Sequence, residues 1–218
     1  MKAAVSGELA TRLQPSFGTK LGMQYAVPII FIAMSGWAQL REQILSPGDD
    51  QGTAPPNTSA EWWAAVQQDI ATSEYQVIWQ DQTGLPGLDG AYQAPNRAQD
   101  LRTYFTEEGP WVVRRSEAEP TWVLGLEWTG YGYEDALVTL PAIEQMAAEQ
   151  GRIEYRRGGV TEWYLNGPKG LEQGFTLAEA PAGGAGSSTL VLELAVRGDL
   201  APGLMPDGKT IEFLSAGG

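Results

Sequence analysis

Residues Ile153 to Leu177 read IEYRRGGVTEWYLNGPKGLEQGFTL. Three runs of alternating residues are separated by glycine-rich breaks. The first, RIEYR, sets Ile153 and Tyr155 against Arg152, Glu154 and Arg156. In the second, Thr161, Trp163 and Leu165 share one face, and Val160, Glu162 and Tyr164 share the other. Alternation with period two is the mark of a strand with one buried and one wet face. Arg156-Arg157-Gly158-Gly159 reads as a tight turn, and Asn166-Gly167-Pro168-Lys169-Gly170 as a second, looser one. Three adjacent strands then make a meander. Gly174 inside the third run predicts a bulge or a close backbone approach, because glycine weakens a regular strand.

The same period recurs on both sides of this stretch. In WVLGLEW, Trp122, Leu124, Leu126 and Trp128 face one way, and Val123, Gly125 and Glu127 the other. In TLVLELAV, Leu190, Leu192, Leu194 and Val196 share a face; in KTIEFL, Ile211 and Phe213 do. YQVIW, LRTYF and PWVVR are further strand candidates. Turn signals separate them at TGLPGLDG, EEGP, TGYGY and APAGGAGSS. Short strands with regular turn signals predict a mostly β chain, an antiparallel β-sandwich-like domain. One or two short helices accompany it. Thr58 and Glu61 have capping-box spacing ahead of Trp62, Trp63, Val66 and Ile70, which predicts a helix over about 61–72 covering a sheet end. Pro141 to Gln150 reads as a second helix, with proline at its first turn.

The predicted domain spans 61–218. Ahead of it, residues 46–60 (SPGDDQGTAPPNTSA) are Pro, Gly and small polar residues, and 39–60 reads as a flexible linker. Lys20 and Arg41 bracket twenty uncharged residues with an apolar centre at Tyr25–Ala38. Lys2, Arg12 and Lys20 precede it, and Gly36 and Ala38 place small residues two apart. That pattern fits a signal peptide over 1–38, cleaved after about Ala38. An uncleaved membrane anchor and an N-terminal hydrophobic helix in the core are the alternatives; Pro28 counts against a helix. Localisation is then extracellular or at the cell surface, with membrane contact only through this segment if it stays.

Composition excludes several chemistries. The 218 residues contain no cysteine and no histidine, so Ser-His-Asp, Cys-His and histidine-based zinc sites are ruled out. The net charge is −13, and removing residues 1–38 takes 14 bases and 27 acids to 11 and 26, a net of −15. Nucleic acid would be repelled. No D-x-[DN]-x-[DN]-G loop supports calcium, so no cofactor is expected, although structural calcium stays open. The glycine motifs have no P-loop or dinucleotide-fold context and read as turns.

Carboxylates are the remaining catalytic option. Glu127, Glu154, Glu162 and Glu172 lie on or near strands, and Glu162 and Glu172 would face each other across the hairpin if the register allowed. Wet-face glutamates beside Arg152, Arg156 and Arg157 are better read as cross-strand partners. The chain is therefore expected not to be an enzyme, with a glutamate-dependent glycoside hydrolase as the alternative. Of the eight tryptophans, Trp79, Trp111, Trp122, Trp128 and Trp163 fall on candidate strands, where aromatics fill cores. An exposed row would instead stack sugars; Trp128, Trp163 and Tyr164 are the candidate platform.

IEYRRGGVTEWYLNGPKGLEQGFTL, followed by LVLELAV and DGKTIEFL, and preceded by NRAQDLRTYFTEEGPWVVRR and WVLGLEWTGYGYE, resembles a known family. It is similar to the N-terminal β-domain of large bacterial secreted or surface proteins, where that domain precedes FG-GAP, SBBP, other β-propeller-like or Ig-like repeats. The resemblance covers roughly residues 75–214 and brings no catalytic residues. It implies a non-enzymatic structural or interaction module. Its partners would be the following repeat domains of a longer parent protein, with glycans or cell-surface proteins beside them. In the family, further strands follow the one matching Ile211–Leu214, so a fragment incomplete at its C-terminus is expected, with KTIEFL left as an open sheet edge. Residues 61–218 alone are then expected to oligomerise or aggregate. A carbohydrate-binding module using exposed tryptophans is the alternative function.

Overall fold

The structure, a computed structural model, describes residues 2–7, 25–34, 58–133, 136–182 and 190–215. The described residues are mostly β, with antiparallel sheets and one short helix among them. The cleavage point near Ala38, most of the 39–60 linker and most of APAGGAGSS lie outside the described residues.

The meander read from Ile153–Leu177 is present. Strands β10 (Arg152–Arg157), β11 (Val160–Gly167) and β12 (Gly170–Leu177) pair antiparallel in unbroken register, Arg157 opposite Val160 and Gly167 opposite Gly170. Both turns are therefore two-residue loops; the second is tighter than its five-residue composition suggests. Gly158 takes φ +58 at the first position of its loop, a conformation a side chain would strain. The segment expected as a second helix is instead strand β9 (Gln145–Glu149), paired with β10 so that Met146 meets Tyr155 and Ala148 meets Ile153. Its Met-Ala-Ala-Glu composition favours a helix, but Met146 and Ala148 alternate onto the core, and packing outweighs propensity.

These four strands continue through β2 (Tyr25–Met34) and β1 (Lys2–Gly7) to β15 (Thr210–Ser215) and β14 (Leu200–Leu204), in the order β14-β15-β1-β2-β12-β11-β10-β9. Tyr25–Met34, the apolar centre of the stretch read as a leader, forms strand β2 in the uncut chain. Removal of residues 1–38 would take β1 and β2 out of this sheet. The edge expected at KTIEFL is not open in the intact chain, because β15 lies between β14 and β1. The β2–β12 register breaks between Gln173 and Phe175, so that Pro28 and Ile29 oppose Gly174 alone. Proline has no N–H to give a ladder, and the bulge expected at Gly174 is where it falls.

The second sheet runs β13 (Leu190–Gly198), β7 (Leu124–Tyr133), β6 (Gly109–Arg114), β5 (Leu101–Thr106), β4 (Ala91–Asn96), β3 (Ile78–Gln80), with β8 (Ala136–Thr139) also on β7. β7 carries an extra residue at Thr129, opposite the Glu193–Leu194 step. The bulge keeps Leu126, Trp128, Tyr131 and Tyr133 opposite Val196, Leu194, Leu192 and Leu190, on one face.

The two sheets close on one another through these faces. Ile153, Tyr155, Tyr164, Leu171 and Phe213 of one meet Leu101, Phe105, Val112, Leu124 and Leu126 of the other. Phe105 and Tyr164 lie 5.3 Å apart between ring centroids, and Trp128 and Phe175 4.6 Å. Burial of each such large side chain contributes about 1.5–3 kcal/mol, which is why a chain without disulfides can hold this fold.

Helix α1 (Ala60–Ser73) forms where expected, but its cap is one residue later: the Trp62 N–H donates to Ser59 Oγ at 3.2 Å. Trp62 is 53% exposed, and the buried clusters among the described residues do not include Trp62, Trp63 or Val66. No helix among the described residues is long and apolar enough to cross a membrane.

Candidate functional site

Side chains able to do chemistry gather in three places. The first is inside the sandwich. The face of β11 shared by Val160, Glu162 and Tyr164 points inward, so Glu162, read as a wet-face residue, is 1% exposed. It sits opposite Phe175 on β12 and opposite Tyr155 on β10. The Tyr164 hydroxyl donates to Glu162 Oε1. Gln173 Nε2 donates to the same oxygen and to the Tyr164 hydroxyl, each at 2.8 Å. Arg157 Nη2 stands 3.7 Å from Glu162 Oε2, and Arg157 Nη1 donates to the Pro141 carbonyl at 3.3 Å. Burial pushes the Glu162 carboxyl above the usual carboxylate range, against the pull of Tyr164, Gln173 and Arg157. Burial likewise raises Tyr155 and Tyr164 well above an ordinary phenol, reinforced by the nearby carboxylate.

A raised carboxyl is the property of a general acid, but catalysis also needs access and a second carboxyl about 5–10 Å away in a cleft. Glu172 is not that partner. It pairs with Leu165, and thus lies on the face of β12 opposite to Gln173 and the Glu162 layer. The expected approach of Glu162 and Glu172 across the hairpin does not occur.

The second place is the seam between the sheets. Asn96 at the end of β4 and Asn166 near the end of β11 are 2% and 5% exposed. Asn96 Nδ2 donates to Asn166 Oδ1 at 2.8 Å and to the Gly167 carbonyl at 2.7 Å. Asn166 Nδ2 donates to the carbonyls of Tyr75 at 3.1 Å and Pro95 at 2.7 Å. Asn96 Oδ1 accepts from the Gln99 N–H at 3.0 Å. Every amide atom of the pair is used, and the bonds tie one sheet to the other. This clamp was not anticipated; its signal is that Asn166 has the inward parity of Val160, Glu162 and Tyr164.

The third place is the outer surface. On the meander, Glu154 takes Arg152 Nε at 2.9 Å and Arg156 Nη2 at 2.9 Å, both from its own strand two residues away, where cross-strand partners were expected. Burial alone would raise Glu154, but the hydrogen bonds from the two arginines outweigh it and hold the carboxyl below its usual value. Glu127 likewise pairs with Arg197. Trp163 lies on this outer face beneath the Arg152 guanidinium, 4.2 Å from the ring centroid, and over Gly174, where a Cβ would come within 2.1 Å of the indole. Trp111 covers Gly125 in the same manner, with a Cβ 2.7 Å from its ring. Each is a cross-strand pair in which an indole shields a neighbouring glycine backbone.

The expected platform of Trp128, Trp163 and Tyr164 therefore does not form. Trp128 and Tyr164 are buried at 3% and 0% exposure, and Trp163 faces the opposite side of its strand from Tyr164 and is capped by Arg152. Trp122 joins Trp128 in the core as expected, but Trp79 is 55% exposed and Trp111 is only partly buried. Trp111 instead lies in an open groove of ≈ 650 Å³ on the outer face of the second sheet. Leu85, Leu88 and Val123 form its apolar lining with Trp111, and Glu107 and Glu108 stand at it. Tyr104 fixes the loop that carries the leucines, its hydroxyl accepting from the Gly84 N–H at 3.0 Å. No group of three or more Asp, Glu, His or Cys side chains among the described residues is placed to hold a metal ion.

Comparison with protein-family models, with curated proteins and with solved structures found no match to this chain.

Proposed function

We propose that the chain is a non-catalytic structural and interaction module of an exported or cell-surface protein, one that precedes a repeat region. The observation that supports this reading is the use made of the polar side chains. Glu162 is enclosed with Tyr164 and Gln173; Asn96 and Asn166 are consumed by the clamp; Glu154 and Glu127 are neutralised by arginines. These groups stabilise strands and sheet contacts. Export rests on the apolar stretch between Lys20 and Arg41 with small residues at Gly36 and Ala38. The test is to fuse residues 1–60 to a reporter in a bacterium and sequence the N-terminus of the exported product. A new terminus at or near Gln39 supports the reading; a reporter retained inside the cell contradicts it.

The second reading is carbohydrate binding, and the groove around Trp111 favours it. A half-buried indole with apolar neighbours offers a stacking face, and Glu107 and Glu108 offer hydroxyl acceptors. On a glycan array, binding that disappears in Trp111→Ala and persists in Trp79→Ala supports this reading. Absence of any glycan signal from the folded protein sinks it.

A further inference from the structure

Of the three asparagines in the chain, Asn57, Asn96 and Asn166, only Asn166 is followed by glycine. An Asn-Gly step is chemically unstable in a free chain. Glycine sets no side chain beside its own nitrogen, so that nitrogen can close on the asparagine Cγ and form a cyclic imide. The ring forces the asparagine backbone out of the extended range. In the folded chain both halves of the step are held against this. Asn166 and Gly167 end strand β11, with Gly167 paired to Gly170 as its last rung, and the Asn166 N–H donates to the Gly151 carbonyl at 2.8 Å. Asn96 Nδ2 grips both residues, through Asn166 Oδ1 at 2.8 Å and the Gly167 carbonyl at 2.7 Å. The leaving nitrogen, Asn166 Nδ2, is tied to the carbonyls of Tyr75 and Pro95. Gln99 Nε2 holds the next carbonyl, that of Pro168, at 2.9 Å. Pro95 and Asn96 belong to β4 of the other sheet, so the seam must part before the ring can close.

We propose that Asn166-Gly167 is a self-modification site gated by the seam: the asparagine clamp keeps it inert while the two sheets are joined, and parting of the sheets there releases an irreversible deamidation. The Gly167 nitrogen attacks Asn166 Cγ, and a new Cγ–N bond forms. The bond from Cγ to Nδ2 breaks, and Nδ2 leaves as ammonia with the proton from the Gly167 nitrogen. Water then opens the imide at either carbonyl, giving aspartate or isoaspartate at position 166, with no change of oxidation state. Neither product rebuilds the clamp. Aspartate turns an oxygen toward the carbonyls of Tyr75 and Pro95, where Nδ2 had donated. Isoaspartate also lengthens the backbone by a methylene at a paired strand end. A chain that has opened at this seam is therefore marked and weakened. The site rests on neither reading of function.

The experiment holds the full chain in mildly alkaline buffer, folded or in guanidinium chloride, and follows position 166 by peptide mass spectrometry. Conversion should be more than about tenfold slower in the folded chain, because it proceeds only through opening. Asn96→Ala should raise the folded-state rate about tenfold, equal to about 1.4 kcal/mol of clamp, and leave the denatured rate unchanged. Gln99→Ala, which loses only an exposed side chain from the turn, should raise it in the same direction and serves if Asn96→Ala does not fold. Gly167→Val should fold, since a Cβ there meets nothing within 4 Å, and should slow conversion in denaturant by crowding the attacking nitrogen. Chains converted in denaturant should refold with a lower denaturation midpoint than chains exposed only briefly. Folded and denatured rates within about tenfold of each other, folded rates that neither Asn96→Ala nor Gln99→Ala changes, Gly167→Val converting as fast as the parent in denaturant, or converted chains regaining full stability would each overturn the proposal.

Discussion

Replacing Asn166 with alanine removes three hydrogen bonds at a site 5% exposed: the one accepted from Asn96 and the two donated to the carbonyls of Tyr75 and Pro95. A typical internal hydrogen bond has a net value of about 0.5–1.5 kcal/mol, so the three together come to about 3 kcal/mol. Carbonyls left without a donor add to this, which places the expected loss at about 3–5 kcal/mol. Against a total stability of about 5–15 kcal/mol for a domain, that is a large fraction from one side chain. Urea denaturation followed by tryptophan fluorescence is the assay, and a slope of about 2 kcal/mol per molar turns the loss into a midpoint shift of at least about 1.5 M. Asn96→Ala removes the shared bond together with those to Gly167 and Gln99, so the double variant should lose about 1 kcal/mol less than the sum of the singles. Asn166→Asp keeps the acceptor for Asn96 but turns an oxygen toward two carbonyls. It should be more harmful than alanine at neutral pH and recover as pH falls and the carboxyl protonates. A loss under about 0.5 kcal/mol for Asn166→Ala, or strict additivity with Asn96→Ala, would refute the reasoning that this pair clamps the sheets.

Gly174→Ala drives a Cβ to 2.1 Å from the Trp163 indole, which Arg152 backs, so it should destabilise by about 1–3 kcal/mol. Gly159→Ala is the control, since its Cβ would meet nothing closer than Ala178 at 4.0 Å; equal melting temperatures for the two variants would contradict the indole-over-glycine pairing. The raised Glu162 pKa means that the folded chain holds this proton to higher pH than the unfolded chain. Stability from this group is therefore full below the unfolded carboxyl value near 4.5 and is lost as pH rises through the folded value. Glu162→Gln lacks that component, so the stability of the parent relative to this variant should decline with rising pH across that window, and a difference that grows with pH would contradict it.

Much of the fold was legible because alternation is a strong signal wherever one face is apolar. Trp122, Leu124, Leu126 and Trp128 all proved buried, and so did Ile153 with Tyr155. Reading failed where a residue's type disagreed with its parity. Glu162 shares a face with Val160 and Tyr164, and parity placed it in the core even though glutamate is usually wet. Asn-Gly marks turns, and that signal hides the inward parity of Asn166, which points to the seam. Reading failed again where the deciding contact is remote. Nothing local in Pro141–Gln150 says that Met146 and Ala148 will line Tyr155 and Ile153. Nothing near Lys209–Leu214 says that residues 2–6 will cover it. The tryptophans divided by neighbour rather than by type: Trp111 and Trp163 lie outside because each has a glycine across the strand to cover.

The most direct measurement concerns the carboxylate in EWYLNGPKG. Native protein treated with a carbodiimide and a small amine, then mapped by mass spectrometry, should be modified at exposed carboxylates such as Glu107 and Glu108, with Glu162 unmodified until the chain is unfolded in denaturant. Modification of Glu162 at the rate of those surface residues in the native state would mean that the inner layer is open to solvent, and the assignment of its polar side chains to structure would not stand.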